Sequence, residues 1–84
     1  MAEELIGVVS DYFARPVVAG IDLSGAVKVG DIIKIKGHTT NLEFPISSMQ
    51  INNAFVQGAG AGESIGIKVP DRVRKGDTVY KVTD

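Results

Sequence analysis

Residues 27–37 read VKVGDIIKIKG, two short apolar stretches separated by a glycine and an acid. Glycine takes the positive φ that a tight turn needs, and a short acidic side chain can accept a backbone N–H as the chain re-enters a strand. After the turn, Ile33 and Ile35 face one way while Lys34 and Lys36 face the other, because side chains alternate along a strand. The segment therefore predicts a tight turn followed by a strand with one buried face.

The same glycine–acid pair recurs at Gly62-Glu63 and Gly76-Asp77, each time ahead of an apolar, strand-like pattern. Outward from these turns, the composition and alternation of the chain predict further strands. They cover residues 5–13, 17–23, 44–51, 55–56, 65–69 and 79–82, in addition to the strand that ends at Lys36. No window of about 11 residues shows helical apolar spacing free of glycine or proline, so no long helix is predicted.

Four irregularities are expected along these strands. Gly7 predicts a bend or bulge, and Ala14-Arg15-Pro16 a break. The parity of apolar residues changes across Ser47-Ser48, which predicts a one-residue bulge at the serines. Asn52-Asn53 predicts a turn, because asparagine tolerates the left-handed conformation.

These patterns together predict an all-β fold. The chain has 84 residues, enough for one small core, and we assign residues 1–84 to a single domain. Closing a sheet removes its exposed edges and lets alternate side chains fill a narrow interior. We therefore expect a small closed or nearly closed antiparallel barrel of about six to seven strands.

Composition excludes several classes of protein. Nine basic and ten acidic residues give a net charge of −1, so no global field attracts nucleic acid or an anionic membrane. The chain has no cysteine, which excludes disulfides and thiolate zinc sites. The acidic start does not resemble a signal peptide, and no apolar run approaches about 20 residues. We therefore expect a cytoplasmic protein that neither enters nor binds a membrane.

Catalytic chemistry has no clear candidates in the sequence. The chain lacks the GxxxxGK[ST] phosphate loop, so nucleotide binding is not expected. The one histidine, His38, has only Glu43 as a nearby carboxylate, too few ligands for a metal. The glycines of residues 58–62 have no basic residue among them and precede no helix, so they predict a turn and not a phosphate site. We expect no catalytic residues, no metal and no cofactor, and thus no enzyme.

Four segments, in their order along the chain, resemble one known domain: residues 25–37, 48–51, 59–67 and 74–80. They resemble the β-barrel domain (domain 2) that follows the GTPase domain in translation factors such as elongation factor Tu. Residues 35–51 resemble small stand-alone translation elongation factor-like proteins, and similar barrels end a family of collagenase-like peptidases that modify RNA or protein. The resemblance implies a Greek-key barrel of the translation-protein type. In factors that carry aminoacyl-tRNA, the position of Gln50 holds an acidic residue, which lies near the aminoacylated end of the tRNA. The side-chain amide of Gln50 can still hydrogen-bond to a ribose.

Two functions follow as hypotheses. The first is a non-enzymatic, translation-related module that contacts RNA or a ribosome-associated protein through a basic face. Its predicted binding residues are Lys28, Lys34, Lys36, Gln50, Arg72, Arg74 and Lys75. The alternative is a protein–protein interaction module that acts in trans beside a partner enzyme or GTPase. The sequence leaves open the partner, the oligomeric state and whether the basic residues share one face.

Overall fold

The fold is built from short antiparallel strands. A computed structural model describes residues 2–14 and 17–83, and all regular secondary structure within them is β-strand. The predicted break at residues 14–16 falls partly on Arg15 and Pro16, which lie outside the described residues. The all-β, antiparallel class predicted from the sequence is thus confirmed.

Residues 2–14 and 17–83 contain ten strands, more than the six to seven predicted. They are β1 (Ala2–Ala14), β2 (Val17–Leu23), β3 (Val27–Lys28), β4 (Ile32–Lys36), β5 (Asn41–Pro45), β6 (Met49–Ile51), β7 (Ala54–Val56), β8 (Gly58–Ala59), β9 (Ser64–Lys68) and β10 (Thr78–Thr83). Eight of them form one sheet in the order β5-β4-β10-β1-β2-β9-β6-β7, and β3 pairs with β8 in a small second sheet. The strands β1 and β10 are neighbours in the interior of the large sheet. Segments that are far apart in the sequence therefore pair with each other.

The three glycine–acid turns share one hydrogen-bonded geometry. Their glycines have φ of 96°, 89° and 91° in chain order, the positive values that the sequence predicted. In each turn, the acid donates its N–H to the carbonyl three residues earlier and accepts that residue's N–H with its carboxylate. The pairs are Asp31 with Lys28, Glu63 with Gly60 and Asp77 with Arg74, with N–H donor to carboxylate distances of 3.0, 3.0 and 2.9 Å. These turns fix where β4, β9 and β10 begin.

The core consists of the inward-facing residues of the strands. Ile33 and Ile35 are fully buried, as their alternation predicts, whereas Ile32 on the opposite face of β4 is 43% exposed. The other buried apolar residues are Ile6, Val9, Ala19, Ile21, Leu23, Val27, Ile46, Met49, Ile65, Ile67, Val69, Val73 and Val79. They form one cluster, so the large and small sheets share a single core.

Residues 44–51 differ from the prediction of one strand with a bulge at Ser47-Ser48. The structure has two strands there, β5 beside β4 and β6 between β9 and β7. The buried Ile46 lies where the chain leaves β5 and turns toward β6. Its N–H donates to the carbonyl of Asp31, and its carbonyl accepts the N–H of Gly30. The parity of the apolar residues changes because the two strands pair with different neighbours.

Two predicted irregularities are confirmed. The register of β1 against β10 shifts between Leu5 and Gly7, at the expected bulge. Asn52 and Asn53 have φ of 51° and 66° and form the turn between β6 and β7.

Candidate functional site

Two of the predicted phosphate-binding lysines contact an acid of the same chain. The Nζ atoms of Lys34 and Lys36 on β4 each lie 2.7 Å from a carboxylate oxygen of Glu3 on β1, across the intervening β10. Lys36 Nζ also lies 5.1 Å from the centre of the Tyr80 ring on β10, within the range of a cation–π contact. We call Glu3, Lys34, Lys36 and Tyr80 the lysine–glutamate cluster.

The cluster changes the protonation behaviour of its acid. Hydrogen bonds from Lys34 and then Lys36 lower the pKa of Glu3 from 4.5 to about 2, and the hydrogen bond to Glu3 raises the pKa of Lys34. One carboxylate thus neutralises part of the charge of two ammonium groups. The cluster joins the neighbouring strands β4, β10 and β1. Because Glu3 already contacts both lysines, they offer an anionic ligand less positive charge than the sequence suggests.

The other basic candidates lie in two separate elements. Lys28 is exposed on β3, and Arg72, Arg74 and Lys75 are exposed in the connection from β9 to β10, which the buried Val73 anchors. Neither element is β4, which carries Lys34 and Lys36. Their common use in phosphate binding stays a prediction.

The end of β4 approaches the connection that carries the arginines. Asp77 is only 6% exposed, and its carboxylate accepts the N–H of Arg74 at 2.9 Å. This carboxylate packs directly against Gly37, which follows Lys36, so that a Cβ atom at Gly37 would overlap it. The backbone around Lys36 therefore adjoins the turn of residues 74–77.

Gln50 lies apart from the basic candidates, in a groove on the outer face of the large sheet. Five residues form one row across the strands β1, β2, β9, β6 and β7: Asp11 pairs with Gly20, Gly20 with Gly66, Gly66 with Gln50, and Gln50 with Phe55. Their chain neighbours Ala19, Ile21, Ile65 and Ile67 are buried, so the row faces away from the core. Because Gly20 and Gly66 have no side chains, the middle of the row is a depression.

The groove has a volume of about 650 Å³. The described residues that line it are Ser10, Asp11, Phe13, Val18, Gly20, Gln50, Asn52, Asn53, Ser64, Ile65 and Gly66. Among them Asp11 is the one ionisable residue, and the hydroxyl of Ser64 donates to the nearby Asp22 carboxylate at 2.7 Å. Phe13 is 53% exposed and Phe55, at the end of the row, is 72% exposed. The groove thus combines apolar rings, side-chain amides and negative charge.

Of the residues in this groove, only Gln50 was predicted from the sequence as a binding residue. Gly20 and Gly66 are visible in the sequence as glycines that interrupt predicted strands, between residues that alternate inward. Glycine inside a strand marks a bulge, a tight bend or a site where a ligand or another backbone comes close. Gly20 lies opposite the bulge of β1 between Val9 and Asp11, where an added Cβ atom would meet Asp11 Cβ at 3.2 Å. At Gly66 the atom nearest to an added Cβ would lie at an ordinary 3.6 Å. Only the pairing of β2 with β9 shows that these two glycines are neighbours.

Other ligand classes find little support in the described part of the chain. In the glycine run, the N–H of Gly60 donates to Glu63 and that of Gly62 to Leu23, which leaves those groups unavailable to a phosphate. Residues 2–14 and 17–83 contain no group of three or more His, Cys, Asp or Glu side chains that could hold a metal ion. They also contain no helix long and apolar enough to cross a membrane.

Comparison with known protein sequences finds a similar protein. No family model matches the chain. An uncharacterized protease of Methanocaldococcus jannaschii is 43% identical over 76 residues, which are 89% of this chain and 19% of the protease. The chain thus spans about a fifth of the length of this curated relative.

Solved structures show the same fold. The crystal structure of the C-terminal domain of a protein described as a U32 peptidase of Geobacillus thermoleovorans matches with a TM-score of 0.88 at 17% identity, over 95% of this chain and 93% of that domain. Its selenomethionine variant also matches with a TM-score of 0.88, over 93% of this chain and 99% of that domain.

These relatives overturn the assignment to translation factors. The chain is not a translation elongation factor-like protein of the elongation factor Tu domain 2 type, because its sequence relative is a protease and its structural neighbours are a peptidase domain. The motifs behind that assignment were mostly the glycine–acid turns, which hold the backbone through local hydrogen bonds. Such turns specify where strands begin and carry no information about the ligand.

Proposed function

We propose that this chain is a non-catalytic accessory domain that packs beside the catalytic domain of a peptidase-type protein. The observation that carries the proposal is the 43% identity to a segment that makes up only 19% of a protease. The match of the fold to an isolated C-terminal domain of a peptidase agrees with it. Of the two functions inferred from the sequence, this favours the protein–protein interaction module.

The surroundings of Ser64 and His38 support a role without catalysis. The hydroxyl of Ser64 donates to the carboxylate of Asp22, and a carboxylate is a much weaker base than the histidine or amine that usually activates a serine nucleophile. His38, the one histidine, lies exposed in the connection between β4 and β5 and has no hydrogen bond among those found for described side chains. Peptide cleavage would therefore depend on the partner.

We also infer that the strands close into a Greek-key barrel. The supporting contacts join the small sheet to both ends of the large one. Val29 donates its N–H to the carbonyl of Gln57 beyond β7, while Gly30 and Asp31 exchange hydrogen bonds with Ile46 beyond β5. A closed barrel would present a rigid outer surface to the partner.

Capture of the partner tests the proposed function. The tagged chain is incubated with a lysate of its source organism, treated with nuclease to remove RNA and washed at about 0.15 M salt, where charges in direct contact are only partly screened. We expect mass spectrometry to identify a protein with a peptidase catalytic domain. Recovery of ribosomal proteins that disappear after nuclease treatment, or of no peptidase at all, would refute the proposal.

A further inference from the structure

We propose that the groove over Gly20 and Gly66 binds an extended peptide segment of the partner protein that carries a lysine or arginine. The inference rests on the proposed function for the identity of the partner. It assigns the contact to one surface and to one chemistry.

The fold itself does not require a glycine at position 66. Its φ is not in the left-handed region, and an added Cβ atom would meet only Val18 Cγ1, at an ordinary 3.6 Å. A glycine inside a strand weakens the strand, because it loses more conformational freedom on folding than other residues and has no side chain to pack. What Gly66 does provide is an open floor, on which another molecule can approach the sheet.

The sides of the groove offer the contacts of a protein interface. Phe13 lines the groove and Phe55 pairs with Gln50 at the end of the row, and both side chains are more than half exposed in this chain. Aromatic side chains at the edge of a depression are typical anchors of protein–protein contacts. The volume of about 650 Å³ lies within the usual range of about 300–1,000 Å³ for ligand sites.

The charged and hydrogen-bonding side chains at the groove favour a cationic peptide as its ligand. Asp11 lines the groove and Asp22 lies beside Ser64 at its edge, so a cationic side chain would find two carboxylates. The amides of Gln50, Asn52 and Asn53 supply donors and acceptors that match a peptide backbone. The described lining residues include no lysine, arginine or histidine, which disfavours the phosphates of RNA.

Nuclear magnetic resonance titration of the whole chain tests the inference. The probes are two pools of short, end-capped peptides that differ only at one fixed position, arginine in one pool and glutamate in the other. We expect the arginine pool to shift the amide signals of Gly20, Gly66 and Gln50, with about tenfold weaker binding of the glutamate pool. Equal binding of both pools, no shift at these residues, or equal shifts caused by a short single-stranded RNA would overturn the inference.

Two substitutions at one position provide the matched control. Gly66→Tyr fills the groove, and we expect it to reduce binding of the arginine pool by at least about tenfold. Gly66→Ala leaves the floor open and keeps the affinity within about twofold. Should Gly66→Tyr not fold, Asp11→Asn takes its place, because it removes the charge and keeps an oxygen for the N–H of Tyr12. Unchanged binding in the folded variant refutes the groove as the site.

The partner capture separates this inference from the proposed function. If the unmodified chain retains a peptidase-type partner and Gly66→Tyr retains it equally well, the groove is not the contact while the accessory role stands. If the unmodified chain retains no such partner, the proposed function is wrong, whatever the peptides do.

Discussion

The outer surface has two polar regions that differ in what their residues contact. In the lysine–glutamate cluster, Glu3 holds Lys34 and Lys36 at 2.7 Å each, so the charges join strands of the same fold. In the groove, Gly20 and Gly66 leave the sheet uncovered, and the nearby Phe13 stays half exposed. Charged residues that suggest a ligand site in a sequence can thus serve the fold, whereas a glycine inside a strand leaves part of a sheet open to another molecule.

The largest effect is expected at Gly37, next to the cluster. Gly37→Ala places a Cβ atom against the buried Asp77 carboxylate, which must then move away from the N–H of Arg74. We expect the free energy of unfolding to fall by about 2–3 kcal/mol, as for other losses of a buried hydrogen bond with steric overlap. Urea unfolding measures it, with Gly66→Ala as the control. Equal stability of the two variants would contradict the packing described at Gly37.

The next effect is the pH dependence of the cluster. The pKa of Glu3 in the folded chain is lowered to about 2, so its carboxylate stabilises the fold above its ordinary pKa of 4.5 and loses this contribution as the pH falls toward 2. We expect the unmodified chain to be more stable than Glu3→Gln near pH 6. The difference should shrink continuously on acidification and at high salt. Urea midpoints of both proteins across this range measure it; a difference independent of pH would exclude the ion pairs as its cause.

A smaller effect, of opposite sign, is expected in the groove. Gly66→Ala removes the conformational freedom of glycine from the unfolded chain and meets no steric conflict. We expect the free energy of unfolding to rise by about 0.5–1 kcal/mol. Thermal and urea unfolding measure it. A loss of stability would mean that the fold itself requires this glycine, and Gly66 would then no longer support a binding role for the groove.

The smallest effect concerns RNA. Because Glu3 already engages Lys34 and Lys36, we expect their joint replacement by glutamine to change the affinity for tRNA at low salt by no more than about twofold. A filter-binding titration measures it, with Arg72→Gln and Arg74→Gln as the control for the exposed arginines. A strong, salt-sensitive loss on replacing the two lysines would restore the predicted basic face.

Local rules explain why the strands and turns were predictable. The turn at Gly30-Asp31 and the alternation of Ile33 with Lys34 depend on residues close together in the chain, and the structure contains both. The change of partners between β5 and β6 was not predictable, because it depends on which distant strands pair. The neighbouring positions of Gly20 and Gly66 depend in the same way on the register of β2 against β9.

The candidate site was harder to predict for a related reason. The sequence shows charge, and so Lys34 and Lys36 were interpreted as ligands for phosphate. It does not show that Glu3, 31 residues before Lys34, reaches both of them. Family resemblance had a similar weakness, since the glycine–acid turns recur wherever a strand begins after a tight turn.

One capture experiment on three forms of the chain separates the groove from the lysine–glutamate cluster as the contact with the partner. The unmodified protein, Gly66→Tyr and the double variant Lys34→Gln/Lys36→Gln are incubated with the same nuclease-treated lysate, and the amount of peptidase-type partner retained is measured. We predict full retention by the unmodified protein, retention within about twofold by the lysine variant, and at least about a tenfold loss with Gly66→Tyr. Full retention by Gly66→Tyr together with loss in the lysine variant would show that the partner contacts the lysine–glutamate cluster and not the groove.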